Sequence, residues 1–297
     1  MADSGSFVLD CCGTPVPALP GRPIVMGILN VTPDSFSDGG RHASLESAVN
    51  RALEMLAEGA TIIDVGGASS RPRGGTYGPG AAAPPVEVEI ARTRPVIEAL
   101  LAARPGTIVS IDTVHAAVAR EALAVGASIV NDVTGLRTDP DLARVTASAG
   151  AALVLMHSAG AWGDLAHEAA YDDVVEDVAR ALADAVSRAR QAGVRSIVVD
   201  PGFGFGKTTR ENLRLIGAAE RFLELGCPVL VGISRKSSIG KTLGTTDAPW
   251  PVERRLFGTL GATAWAVSRG ASIVRTHDVA ETSQMLTVLS ACMQAAS

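Results

Sequence analysis

The chain has 297 residues, of which 47% are hydrophobic and 19% charged, with a net charge of -5. That balance is enough for a large core and excludes a disordered chain. Mild acidity without any block of Lys or Arg excludes an electrostatic binder of nucleic acid, so an anionic substrate must be held by a few local cations.

Residues 1–6 show no basic stretch ahead of an apolar run, so no secretory signal is read. No apolar segment reaches membrane-spanning length. Cys11 and Cys12 adjoin while Cys227 and Cys292 stand alone, which gives neither a disulfide framework nor a zinc spacing. A cytoplasmic protein with reduced thiols is expected, with neither nucleic acid nor membrane among its partners.

Residues 1–21 read as an N-terminal extension, in the form of a hairpin closing the floor of the domain 22–297. From there short apolar runs alternate with helical patterns. Ile24 to Leu29 precedes a helix over Leu45 to Glu58, and Thr61 to Val65 precedes Glu87 to Ala103. Thr107 to Ile111 pairs with Val114 to Val125, and Ala127 to Val130 with Asp141 to Ala149. Ala152 to Met156 leads to Tyr171 to Gln191, and Ser196 to Val199 to Arg210 to Leu225. Pro228 to Ile233 leads to Val252 to Arg269, and Ala271 to Val274 to Val279 to Ala295. Gly59, Gly126, Gly150, Gly193, Gly226 and Gly270 fall where a left-handed helix cap would stand. Eight β/α units with no break in composition predict an α/β fold of the (β/α)8 TIM-barrel class, in preference to an open doubly wound sheet.

In such a barrel the chemistry sits at the C-terminal ends of the strands. Those ends carry Asn30, Asp112, Asn131 with Asp132, Asp200, Ser234-Arg235-Lys236, and Arg275 with His277. Any one of them could simply mark a strand end, because Asp and Asn form turns readily. Together they converge on one rim. Asp200 follows a fully apolar run, so its carboxylate needs partners. A heterocycle with an amino group beside a ring N–H would supply two donors; Lys236 or an N-cap is the plainer alternative. Lys236, Ser237, Arg275 and His277 lie in the loops where this fold commonly holds phosphate.

The segment Pro201-Gly-Phe-Gly-Phe-Gly-Lys-Thr imitates a nucleotide loop. Pro201 stands where a phosphate-binding loop needs Gly, and the glycines at 202, 204 and 206 miss the dinucleotide spacing. The glycines are expected to let Phe203 or Phe205 lie flat over a planar ligand. His42, His115 and His167 lack metal-ligand spacing and read as structural, and His157 as pocket wall.

The same residues carry a family resemblance. GILNVTPDSFSDGG from Gly27, IIDVGGASSRP from Ile62, SIDT from Ser110 and IVNDV from Ile129 occur in order. LMHSAG from Leu155, DPGFGFGKT from Asp200, VGISRKSSIG from Val231 and IVRTHDV from Ile273 complete the series. Over nearly its whole length the chain resembles the dihydropteroate synthases. The resemblance implies condensation of 6-hydroxymethyl-7,8-dihydropterin pyrophosphate with 4-aminobenzoate, giving 7,8-dihydropteroate and pyrophosphate with Mg2+ assisting.

It further implies that Asp112, Asn131, Met156, Asp200 and Lys236 line a pterin pocket. Ser70, Pro72, Phe205, Ser237 and Lys236 would surround the aminobenzoate. Asn30 would contact the metal, with Arg71, Arg275 and His277 on the pyrophosphate. Phe36 and Asp38 would belong to a first loop that closes over the reacting centre. Asn30, Asp38, Arg71, Lys236, Arg275 and His277 are thus the residues expected to carry catalysis.

Two departures from the family pattern GGESTRP stand out: Ala68 replaces its Glu and Ser70 its Thr. Ala68 removes a carboxylate that could hold the second loop. A pterin-binding paralogue without synthase turnover is the alternative that this loop motivates. A folate-dependent methyltransferase shares the pocket but has no use for the SRKS and RTHD cations. The helix Val252 to Arg269, apolar nearly all round with Phe257, Leu260 and Trp265, suggests a homodimer.

Overall fold

The computed structural model describes residues 7–19, 22–32, 40–68, 84–160, 162 and 169–295. A hairpin of β1 (Phe7–Cys11) and β2 (Thr14–Ala18) comes first. Then come β3 (Ile24–Asn30), α1 (Gly40–Ala57), β4 (Ile62–Gly66), α2 (Val86–Ala103), β5 (Ile108–Asp112) and α3 (Ala116–Ala124). β6 (Ile129–Asp132), α4 (Asp141–Ala149), β7 (Ala152–Met156), α5 (Val174–Gln191) and β8 (Ile197–Asp200) follow. The chain continues through α6 (Thr209–Gly217), α7 (Ala219–Leu223), β9 (Leu230–Val231) and α8 (Ser237–Leu243). It ends with α9 (Leu256–Ser268), β10 (Ile273–Thr276) and α10 (Val279–Ala295).

Strands β3 to β10 form one parallel sheet in the order β8-β7-β6-β5-β4-β3-β10-β9. The ends of that order meet where Val199 pairs with Val229, with Val199 N 3.0 Å from the Pro228 carbonyl. An open sheet leaves two unpaired edges; here they meet, and the fold is the (β/α)8 TIM barrel.

The strands obey a strict alternation. Val25, Ile63, Val65, Val109, Ile111, Val130, Leu153, Leu155, Val199 and Val274 belong to the large core shared with the helices. The opposite parity faces inward. Met26, Ile62, Ile129, Val154, Val198, Leu230 and Ile273 fill the lower barrel together with Leu9, Cys11, Val16 and Ala18 of the hairpin. The hairpin therefore packs under the barrel floor. Further along the same parity stand Asn30, Asp64, Asp112, Asn131, Asp200 and Arg275, so the upper interior is polar.

Helix details differ from the sequence reading. The pattern over 210–225 divides at Ala218 into α6 and α7. The pattern over 252–269 is a 3-10 turn at Val252–Arg254 and then α9. That break has a cause. Arg255 turns inward at 1% exposure and donates to the carbonyls of Trp250 and Arg235. Strand Pro228 to Ile233 shortens to β9, and α8 forms in a stretch with no clear helical period. The six glycines marked as helix caps all have positive φ, Gly150 at 67° closing α4.

Candidate active site

Arg275 organises the polar layer. Its Nε lies 2.6 Å from Asp64 Oδ2 and its Nη2 2.7 Å from Asp112 Oδ2. Asn131 Nδ2 donates to the same Asp64 oxygen at 3.0 Å. Four strands are thereby joined across the barrel mouth by one guanidinium and one amide. Asp64 is 0% exposed, and its Oδ1 is buried without a partner. Burial pushes the Asp112 carboxyl up to about 7; Arg275 opposes that rise, while Asp64, Glu89 and Asp132 add to it.

Asp64 is the residue that strand-end reasoning misses, because it lies in the middle of β4. A lone carboxylate inside Ile62-Ile-Asp-Val-Gly was the available signal, since an unpaired charge in a buried strand demands a partner.

Asp132, in contrast, serves its own loop. Its carboxylate accepts from Thr134 N and Leu136 N at 2.8 and 2.6 Å.

Asp200 ends β8, where Oδ1 accepts from Gly202 N at 2.7 Å. Burial raises its pKa, opposed first by Lys236. Lys236 Nζ donates to the Phe203 carbonyl and lies 4.0 Å from the centroid of the Phe205 ring. Burial lowers the Lys236 pKa to about 7, with Asp200 pulling it back up. The two phenylalanines part company. Phe203 joins the outer core, and Phe205 packs with Val114, Val133, Met156 and Trp162 beside the polar layer. Only Phe205 packs beside the polar layer, with Met156 in the same cluster.

The other side of the mouth is built by the segments that follow β9 and β10. Ser234 Oγ lies 3.0 Å from His277 Nδ1 and accepts from His277 N at 3.2 Å. His277 itself is exposed and Ser237 half-buried. Arg235, at φ 53°, is committed to an ion pair with Asp278, Nε to Oδ2 2.9 Å. Arg275 thus sits on the Asp64 and Asp112 carboxylates, while His277 stands at the outer rim.

Asn30 stands at the end of β3. A Cβ placed on Gly66 would meet Asn30 Oδ1 and Asp112 Oδ2, each at 3.7 Å, so both oxygens converge over that glycine. Ala68 is buried at 8% exposure. At the root of its loop Arg92 Nη1 donates to the Gly67 carbonyl at 2.9 Å, a tie from α2 that needs no carboxylate at position 68. Phe36, Asp38, Ser70, Arg71 and Pro72 lie outside the described residues, as does His167. His157 is half-buried against the Tyr171 ring; desolvation, and after it Lys207 and Arg137, lowers its pKa to about 3.

Comparison with known proteins agrees with this geometry. The family model described as pterin binding enzyme matches residues 26–277. The dihydropteroate synthase of Escherichia coli K12 is 43% identical over 92% of this chain and 93% of its own. A probable bifunctional folylpolyglutamate synthase/dihydropteroate synthase of Haloferax volcanii is 47% identical over 86% of this chain, which spans only 29% of that longer protein. The Xanthomonas albilineans dihydropteroate synthase, solved with 4-aminobenzoic acid, superposes with a TM-score of 0.85 at 44% identity, covering 97% of this chain and 98% of that one.

A (β/α)8 barrel whose mouth holds the buried carboxylates of Asp64, Asp112 and Asp200, matched over residues 26–277 by the family model, places the chain in the pterin-binding enzyme family. Within that family it belongs with the dihydropteroate synthases, transferases of folate biosynthesis.

Proposed function

We propose that the barrel mouth condenses 6-hydroxymethyl-7,8-dihydropterin pyrophosphate with 4-aminobenzoate, and that the pterin ring lies on the Asp200 side of it. The observation that carries this reading is the Asp200 carboxylate, 7% exposed and anchored on one oxygen by Gly202 N. An amino group beside a ring N–H satisfies such a carboxylate with two parallel donors. Asp112 and Asn131 would take the remaining polar edge, with Met156 and Phe205 against the ring. Asp64 Oδ1, buried and unpartnered, is one more acceptor for a pterin N–H.

The electrophile is a methylene on an electron-rich ring, so pyrophosphate departure can run ahead of attack. An arylamine is neutral near pH 7, and no strong general base is required. The chain's task is to orient the two substrates and stabilise the leaving charge. Arg275 and His277 serve the pyrophosphate, with Arg71 from the second loop. Lys236, Ser237, Phe205, Ser70 and Pro72 surround the aminobenzoate, and Asp38 closes with the first loop.

Mg2+ is proposed as the cofactor. Among the described residues no group of three or more His, Cys, Asp or Glu is placed to hold a metal ion. The donor set fits a metal that arrives on the diphosphate and takes one further oxygen from Asn30, the usual habit of Mg2+. Bound there, it would neutralise charge on the leaving pyrophosphate.

The deciding experiment is pyrophosphate release from the pterin pyrophosphate with 4-aminobenzoate and Mg2+. Turnover is expected; tight pterin binding without release would establish the paralogue reading instead.

We further propose a homodimer through α9. Phe257 is 84% and Trp265 55% exposed, and a Cβ on the intervening Gly261 meets nothing within 4 Å. The three form one stripe at i, i+4 and i+8, and Val288 on the neighbouring α10 is 65% exposed. No described helix is long and apolar enough to cross a membrane, and a cytoplasmic location is the proposed setting.

A further inference from the structure

The nucleotide-loop look-alike after β8 has a backbone organised around a charge of its own. Gly202, Gly204 and Gly206 all take positive φ, at 73°, 84° and 64°. A Cβ on Gly202 would fall 1.7 Å from the His157 carbonyl oxygen, so no other residue fits there. This winding turns carbonyls inward. The Lys207 ammonium lies 3.0 Å from the Gly202 and Phe205 carbonyl oxygens and 3.5 Å from that of His157. An anion-binding loop presents N–H groups to a phosphate. This one presents C=O groups to a cation supplied by the loop itself.

The identity of that cation is informative. The chain has only three lysines among 26 basic residues. Two of them, Lys207 and Lys236, flank this loop and are buried or half-buried. A compact ammonium with three donors matches three converging carbonyls, whereas a planar guanidinium does not. The carbonyl of His157 belongs to the end of β7, so the ammonium joins that strand to the loop that carries Asp200 and Phe205. His157 N donates to the Asp200 carbonyl at 2.9 Å, a second tie between the same strand ends. Asn212, fully buried, holds the loop from outside, accepting from Gly204 N at 2.6 Å and donating to Ser238 Oγ at 3.1 Å.

We infer that Lys207 is a positioning residue for the pterin: its ammonium is the resident ion of a carbonyl nest that sets Asp200 and Phe205 for the ring. The inference rests on the assignment of the pterin to the Asp200 side. Burial lowers the Lys207 pKa to about 7, and Asp200 opposes that fall, which couples the ammonium to the carboxylate it positions.

The test uses 6-hydroxymethylpterin as probe and titration calorimetry as readout. Lys207→Ala should weaken pterin binding at least roughly tenfold, the scale of a lost charged hydrogen-bond set. Ammonium chloride should restore much of the loss by refilling the nest, and tetramethylammonium chloride, which has no N–H, should not. Affinity within about twofold of wild type, or equal rescue by both salts, overturns the inference. A measurement on the wild type covers the case of a variant that does not fold. Acylation of lysines, mapped by mass spectrometry, should find Lys207 far slower than Lys241 and slower still with pterin bound. A rate indifferent to the pterin overturns the inference as well. Wild-type protein that binds no pterin sinks the pocket assignment and the inference together; an indifferent variant beside a binding wild type sinks the inference alone.

Discussion

Arg275 Nε approaches Asp64 Oδ2 to 2.6 Å, although β10 and β4 are separated by β3. The contact crosses the barrel mouth, and the same guanidinium reaches Asp112 on β5. Removing one partner of a buried pair leaves the other charge without compensation, typically at a cost of about 3–5 kcal/mol. Asp64→Ala should therefore lose stability on that scale in denaturant unfolding, and pterin affinity with it. A variant as stable as wild type would mean that Asp112 alone satisfies the guanidinium.

Asp112 gives the pocket a pH signature. Its pKa stands at about 7 in the folded chain against an ordinary 3.8, burial being the largest cause. Between those values the folded protein holds a proton that the unfolded chain has released. This contribution is complete below about pH 4 and is lost as pH rises through about 7. Asp112→Asn, permanently neutral, removes it. The stability of wild type relative to Asp112→Asn should fall between pH 4 and 7.5; a constant difference would show that Asp112 ionises normally.

Lys236 works in the opposite sense. Its pKa is lowered from 10.5 to about 7 by burial, so the unfolded chain binds the extra proton between those values. Stability rises with pH across that window. Comparing wild type with Lys236→Met by thermal unfolding from pH 7 to 10 should show a steeper rise in the wild type, the variant keeping the share that Lys207 contributes. Equal slopes would place the lysine in solvent.

Asp200→Asn keeps the shape of the side chain and removes its charge. Losing the charge-assisted bonds to an amino group and a ring N–H should raise the pterin dissociation constant about 100-fold. Melting should change little, because the carboxylate gains nothing from burial. Calorimetry with the pterin alone separates the two effects, and undiminished affinity would refute the proposed role.

The α9 stripe predicts an oligomeric response. Phe257→Glu places a charge where the aromatic ring is 84% exposed. Sedimentation at micromolar concentration should find a dimeric wild type and a monomeric variant. A dimer that survives the substitution has its interface elsewhere.

Most of the architecture was legible because its signal is local. Apolar runs and helical periods repeat eight times and glycine caps six times, and each can be read within one β/α unit. The misses occur where a distant contact overrides the local pattern. Arg255 looks like an ordinary basic residue in a helix, yet its burial under Trp250 and Arg235 interrupts that helix. Asp64 looks like part of an apolar strand and becomes the seat of Arg275. Phe203 and Phe205 are equivalent in the motif; their separation between core and pocket depends on what packs around the loop.

The sequence by itself determined which residues face inward, since a period of two along eight buried strands admits only one parity for Asp112, Asn131, Asp200 and Arg275. It also determined the family, through motifs spread along the chain. Only the tertiary structure decided how those charges are shared. Closing the barrel brings β10 within reach of β4 and β5 and takes Arg275 into the carboxylates, and it turns a glycine loop around Lys207. Partnerships among buried charges depend on distances of a few ångströms between residues far apart in sequence, and no local pattern contains them.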